Sequence, residues 1–265
     1  LRRRPADGLS ARPPTPDPGP VLHIQFHDVV AEIRMDRPPA NALNRELVEQ
    51  LLAGLETARM DGARAIVLTG RPGMFSGGLD VPELLALDRR HIEAFWGLFF
   101  NLTRQLAASP VPVIAAVSGH APAGGAVLAL NCDWRIGVAG KFKIGLNEVQ
   151  VGLPVPGTVL VALEQVVGPR LARRLATRGE MLSMDDAAAA GWLDELVAAD
   201  QLLPTALARA NELLALPPVA MNTTRLAAKA RLIEALNSSG DVAAATGWWF
   251  SVETQAEMRK LVARL

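Results

Sequence analysis

Three short segments hold residue types suited to moving a proton beside a carbonyl. Two are glycine-rich turns, Phe75-Ser76-Gly77-Gly78-Leu79-Asp80 and Gly119-His120-Ala121-Pro122-Ala123-Gly124-Gly125. The third is the run Ile144 to Gly152, in which Glu148 is the only carboxylate. Turns without bulky side chains can each offer a backbone N–H to one oxygen atom, which stabilises an enolate without a metal. One carboxylate beside that oxygen can take and return a proton. Taken singly, each turn also reads as an ordinary reverse turn, since glycine is the default residue at positive φ. Glu148 by itself also reads as a surface carboxylate.

The elements around these segments have a common order. Ala65 to Leu68 and Val111 to Val117 are short apolar runs, each read as a buried strand leading into a glycine turn. Gly124 and Gly125 stand where a helix from Ala126 to Asn131 would open, and a helix start carries free N–H groups and partial positive charge. Val21–His27 and Val29–Met35 alternate as a hairpin. Asn44 is placed to cap a helix through Glu56 or beyond. Pro82–Leu87 and His91–Ala107 read as helices, and Trp134–Val138 and Lys141–Ile144 as strands. From Val159 onward the pattern is helical: Pro169–Thr177, an alanine-rich helix capped by Ser183, Leu203–Leu214, Val219–Leu236 and Val242–Leu265. Glu195–Ala198 is the one late strand. Strands with crossover helices point to an α/β fold with parallel sheets covered by helices. The division expected is a Pro/Arg-rich tail at 1–20, disordered or extended, a core at 21–200, and a helical segment at 201–265.

Composition narrows the function classes. The 265 residues carry 27 Lys+Arg and 27 Asp+Glu, so no net charge draws the chain to nucleic acid or an anionic membrane. No apolar run approaches the ~20 residues of a membrane span. The single cysteine, Cys132, forbids an internal disulfide and reads as a packed core residue in a reducing compartment. The expected location is the cytoplasm, with the mitochondrial matrix as the alternative. His23 and His27 fall in a strand pattern ~13 Å apart, so no metal site is expected. His120 reads as a packed loop histidine. Ser76 and Ser118 lack a histidine and acid in a hydrolase arrangement, and Gly119–Gly125 lacks a phosphate-loop spacing.

Phe-Ser-Gly-Gly-Leu-Asp, Gly-His-Ala-Pro-Ala-Gly-Gly, Cys-Asp-Trp-Arg-Ile and Gly-Leu-Asn-Glu-Val-Gln-Val-Gly-Leu together resemble the crotonase superfamily, the enoyl-CoA hydratases and isomerases, over about Val21 to Asp200. The likeness is nearest to the Δ3,Δ2-enoyl-CoA isomerases. The resemblance implies a spiral of ββα units in two roughly perpendicular sheets, with a C-terminal helical trimerisation segment. It also implies an acyl-CoA substrate, no cofactor beyond the coenzyme A of that substrate, and a homotrimer or dimer of trimers. Carried onto this sequence, Gly77 and Gly124 would supply the oxyanion-hole N–H groups and Glu148 the proton shuttle. Ser76, Gly78, Leu79 and Asp80 would wrap the thioester, and Asn147 would touch the ligand. Trp96, Phe99 and Phe100 border the acyl pocket in such a fold or belong to the core, and Trp248, Trp249 and Phe250 form an interface or a lid. Hydratases carry a second glutamate where this chain has Val127. A double-bond shift needs one acid, whereas hydration uses two, so the reading favours isomerisation. Weak hydration, another thioester-enolate reaction, and a non-catalytic acyl-CoA-binding protein are the alternatives. Arg34, Arg37 and Lys260 are cations that could meet CoA phosphates, and none is assigned.

Overall fold

The apolar runs become neighbouring strands of one sheet. The computed structural model describes residues 21–238 and 240–264, and the expected tail lies outside them. The first two strands, β1 (Leu22–His27) and β2 (Val30–Met35), form the expected antiparallel hairpin, with Leu22 opposite Met35. After α1 (Arg45–Met60), β3 (Ala65–Thr69) pairs parallel to β2. Asn44 caps α1 through its side chain, which accepts the Leu47 N–H at 2.9 Å. Three more parallel strands, β5 (Val113–Val117), β7 (Trp134–Val138) and β10 (Glu195–Val197), complete the six-stranded order β1-β2-β3-β5-β7-β10.

Both faces of this sheet are covered, which is why its central strands read as unbroken apolar runs. Side chains alternate between faces with period two. Ala65 and Val67 of β3 join a core with Leu202, Ala206 and Ala210 of α8 (Leu202–Leu214). Ile66 and Leu68 join the larger core on the opposite side. That core includes α1 and α3 (Arg89–Ala107).

A second, four-stranded sheet has the order β4-β6-β8-β9, from β4 (Gly73–Met74), β6 (Gly119–Pro122), β8 (Lys143–Gly145) and β9 (Leu182–Ser183). Strands β3, β5 and β7 each run on into a strand of this sheet, so one passage crosses both sheets before turning. β4, β6 and β8 are parallel and adjacent, with Met74 beside His120 and Pro122 beside Gly145. Adjacent strands lie ~4.8 Å apart. The segments leaving these three strands therefore emerge within roughly 10 Å of one another. They are the first glycine turn, leading to α2 (Val81–Leu84), the second, leading to α4 (Gly124–Asn131), and a 3-10 turn over Glu148–Val151.

The rest of the chain is helical: α5 (Gly157–Val167), α6 (Pro169–Arg178), α7 (Met184–Ala189), then α8, α9 (Pro218–Ala228), α10 (Ala230–Ser238), α11 (Asp241–Trp249) and α12 (Val252–Val262). The single helices expected at Val219–Leu236 and Val242–Leu265 are each two helices, broken at Lys229 and at Phe250–Ser251. The breaks let α10 and α11 lie against α3 and α12 turn back toward the 3-10 turn. No helix is long and apolar enough to cross a membrane among the described residues.

Candidate active site

The turns after β4, β6 and β8 close around a cavity of about 630 Å³. Its wall includes Gly77, Leu79, Asp80, Gly124, Asn147 and Glu148, together with Val127. The turns are stitched to the strands next door. Phe75 N–H donates to the His120 carbonyl at 3.0 Å, and Ala123 N–H to the Gly145 carbonyl at 2.8 Å. Two glycines permit this closeness. A Cβ on Gly125 would sit 2.4 Å from the Ser76 carbonyl oxygen, and Gly78 holds φ at +84° against Ala123 and Gly124.

Backbone directions in the first turn differ from the expectation for Gly77. Its N–H donates to the Ala40 carbonyl at 2.7 Å. That amide is engaged and cannot serve a ligand oxygen. Leu79 forms a parallel bridge with Leu43: Leu43 N–H donates to Gly78 O and Asp80 N–H to Leu43 O. In such a bridge the N–H of Leu79 itself points the other way, and no acceptor meets it among the described residues. The Gly124 N–H, at the first position of α4, likewise has no acceptor there. Leu79 and Gly124 thus each bring to the wall an amide with no acceptor among the described residues.

Ser76 and Gly78, expected against the ligand, do not line the cavity. Ser76 is fully buried, with its hydroxyl donating to Asn41 O at 2.8 Å and accepting from Gly78 N–H at 3.3 Å. It shapes the turn from behind. Asp80 lines the wall, caps α2 by accepting the Glu83 N–H, and pairs with Arg37 at 2.7 Å. Arg37 is thus neutralised locally by Asp80 and Glu83.

Glu148 is the only carboxylate of the wall besides the Arg37-paired Asp80. It is buried, and among the described residues its Oε2 has no hydrogen-bond partner. Burial pushes its carboxyl up from 4.5 to about 7, with the turn's own amide opposing weakly. No charged side chain contributes to that shift. A carboxyl balanced near neutrality can accept a proton and give it back. Neighbouring Asn147 also leaves its buried Oδ1 unpartnered. Val127, on α4, is apolar and buried, so no second acid faces Glu148 from that helix.

The apolar end of the cavity is built from Trp96, Phe99, Leu153, Val159, Met258 and Leu261. Trp96 is locked by Phe100, stacked at 5.7 Å, and by Trp249, edge-on at 6.3 Å. Phe100 and Phe250 are not in the wall, and Trp248 is half exposed. Sequence reasoning missed the segment Pro38–Ala42, which supplies Pro38, Pro39, Ala40 and Ala42 to the wall. Asn41 organises it, donating to the carbonyls of Met35, Met74 and Phe75. The available signal was two prolines ending a strand, followed by a polar residue among apolar ones.

The remaining candidates are structural. Cys132 is buried, and burial raises its thiol to about 12. His23 pairs with Asp36 and His27 with Glu32, while His120 accepts from the Lys143 N–H and packs on Phe142. A wider hollow of about 840 Å³ lies beside α6, lined by Arg170, Arg173, Arg174 and Arg178, and shares no residue with the Glu148 cavity.

Residues 25–248 match the family model described as enoyl-CoA hydratase/isomerase. The chain belongs to that family. As an enoyl-CoA hydratase/isomerase family member, it is 34% identical to human mitochondrial enoyl-CoA delta isomerase 1 over 199 residues. That alignment covers 74% of this chain and 66% of the human protein, just under two thirds of the relative's length. It is 33% identical to a probable enoyl-CoA hydratase of Mycobacterium tuberculosis, over 72% of this chain and 74% of that one. The crystal structure of human mitochondrial Δ3,Δ2-enoyl-CoA isomerase superposes with a TM-score of 0.89 at 29% identity, covering 92% of this chain and 98% of that chain. The α/β crotonase fold that the resemblance implied is therefore the fold of this family member.

Proposed function

We propose that the chain moves the double bond of a 3-enoyl-CoA to the 2-position. The observation that carries this reading is one unpartnered, buried carboxyl, Glu148, sharing a wall with two unengaged main-chain amides, while Val127 occupies the place of a second acid. In the proposed reaction the thioester oxygen accepts from the N–H groups of Leu79 and Gly124. Ionised Glu148 removes a proton from C2, and the electron pair flows into the thioester and the adjacent double bond as a dienolate. Glu148, now protonated, delivers the proton to C4, leaving the 2-enoyl thioester. The acid ends as it began, and no water is consumed. Each oxyanion donor is typically worth ~3–4 kcal/mol of barrier and a positioned base ~10²–10⁴-fold. This reading moves the first donor from Gly77 to Leu79 because the Gly77 amide is already bonded to Ala40.

The test is to incubate the protein with 3-hexenoyl-CoA and follow 2-hexenoyl-CoA. Glu148→Gln is expected to abolish conversion, and conversion at the wild-type rate would overturn the assignment. Hydration is the second reading, and similarity to a probable enoyl-CoA hydratase favours it. Robust hydration of crotonyl-CoA despite Val127 would establish it over isomerisation.

A further inference from the structure

The C-terminal helix α12 touches both the cavity and the turn that carries Glu148. Resting on the reaction proposed above, we infer that Thr254 is a positioning residue that fixes the Glu148 turn through the Gly152 carbonyl.

Gly152 closes the 3-10 turn Glu148–Val151 in a left-handed conformation, φ +71°. Its N–H returns to the Val149 carbonyl, and the next residue, Leu153, donates to the carbonyl of Glu148 at 3.0 Å. The orientation of the Gly152 peptide therefore sets the geometry of the backbone on which Glu148 stands. Thr254 is fully buried, and its hydroxyl donates to the Gly152 carbonyl oxygen. The direction of that bond is fixed from behind. Ser251, the N-cap of α12, donates its own hydroxyl to Thr254 Oγ1 at 2.9 Å while accepting the Thr254 N–H at 3.2 Å. With its lone pair engaged by Ser251, the Thr254 hydroxyl has its proton left for Gly152.

The fit is close. A Cβ at Gly152 would lie 3.3 Å from the Thr254 Cα and 3.4 Å from its N, so the turn and the start of α12 meet backbone to backbone. On its other side the turn is held by Gln150, whose side-chain amide donates to the Gly179 carbonyl at 2.8 Å at the end of α6. Four and seven residues after Thr254, on the same helical face, Met258 and Leu261 enter the cavity wall. One helix face thus grips the Glu148 turn at one end and borders the acyl end of the cavity at the other. Glu148 has no hydrogen bond of its own at Oε2, so its aim depends on the backbone beneath it. Displacement of a reacting group by about 1 Å can cost up to ~10²-fold in rate.

The test compares Thr254→Val, which keeps the shape and removes the hydroxyl, with Thr254→Ser, which keeps the hydroxyl. Turnover of 3-hexenoyl-CoA is measured per ligand-binding site, with sites counted by calorimetric titration of hexanoyl-CoA, a saturated analogue that cannot react. For Thr254→Val the expected result is a fall in turnover per site of about tenfold, with hexanoyl-CoA affinity within twofold of wild type, and recovery to within threefold in Thr254→Ser. A role in folding alone would lower the number of sites and leave turnover per site unchanged, and that result overturns the proposal. If Thr254→Val does not fold, Thr254→Ala against Thr254→Ser gives the same comparison. Glu148→Gln is run in parallel: full turnover there refutes the isomerase reading itself, whereas its inactivity beside an unaffected Thr254→Val refutes only the role of Thr254.

Discussion

Replacing Glu148 by Gln should make the protein less active and more stable, and the stability gain should depend on pH. The carboxyl titrates near 4.5 when unfolded and near 7 when folded, because burial disfavours its charged form. The folded state therefore binds this proton more tightly than the unfolded state. Below pH 4.5 both states are protonated and the group is neutral in its effect. As pH rises from 4.5 toward 7 the unfolded chain releases the proton first, and wild-type stability falls by about 1.4 kcal/mol per pH unit. Above pH 7 the penalty levels off at about 3 kcal/mol. Gln has nearly the same shape and no charge, so Glu148→Gln should be about 3 kcal/mol more stable than wild type at pH 8 and nearly equal at pH 4.5. For a chain of this size that corresponds to roughly 6–10 °C in melting temperature. Circular dichroism melts of both proteins at pH 4.5, 6, 7 and 8 measure it directly. A melting difference that is constant across this range, or wild type being the more stable at pH 8, would refute the claim that Glu148 is a buried, unpartnered acid.

Under the proposed reaction the same group sets the activity profile: kcat/KM for 3-hexenoyl-CoA should rise with pH through about 7 and then level off, since the proposed base must be ionised to act, and a rate–pH series checks it. Gly125→Ala should cost several kcal/mol, about 3 or more, and most of the activity, because its Cβ would fall 2.4 Å from the Ser76 carbonyl. Gly97→Ala, in the interior of α3 with open space around the new methyl, should instead stabilise by about 0.5–1 kcal/mol; denaturant titration of the pair compares them. Asp133, buried between Arg225 and Lys229 of the C-terminal helical segment, should on conversion to Asn destabilise the fold by about 3 kcal/mol, since it leaves two cations short of their counter-charge; urea unfolding reports the loss.

Much of this architecture is legible in the chain because local and global preferences agree. Ala65–Leu68 and Val113–Val117 are apolar throughout since both faces of their sheet are covered. Asn44 and Ser183 mark helix starts by capping them. The second sheet is less visible. Gly119–Pro122 has the composition of a turn, and only its pairing with β4 and β8 makes it a strand. Lys229 and Phe250 break helices without glycine or proline at the break, because packing on α3 decides where the chain bends. At the site, Glu148 and Gly124 are singled out by the family resemblance of their motifs, since by residue type alone they also read as a surface carboxylate and a turn glycine. The choice between Gly77 and Leu79 could not, since it depends on which way each amide points. That direction is set by Ala40 and Leu43, far upstream in the chain.

The unengaged amides at 79 and 124 belong to the main chain, and this has an evolutionary consequence. Point mutation can change every side chain around an oxygen held by peptide groups and still leave the holder intact, provided the turns keep their shape. The inventive part of such a pocket is then confined to a few substitutable positions, 127 and 148 foremost. Under the proposed reaction, a change at these positions would alter the chemistry done on the thioester while the main-chain grip on its oxygen stayed in place.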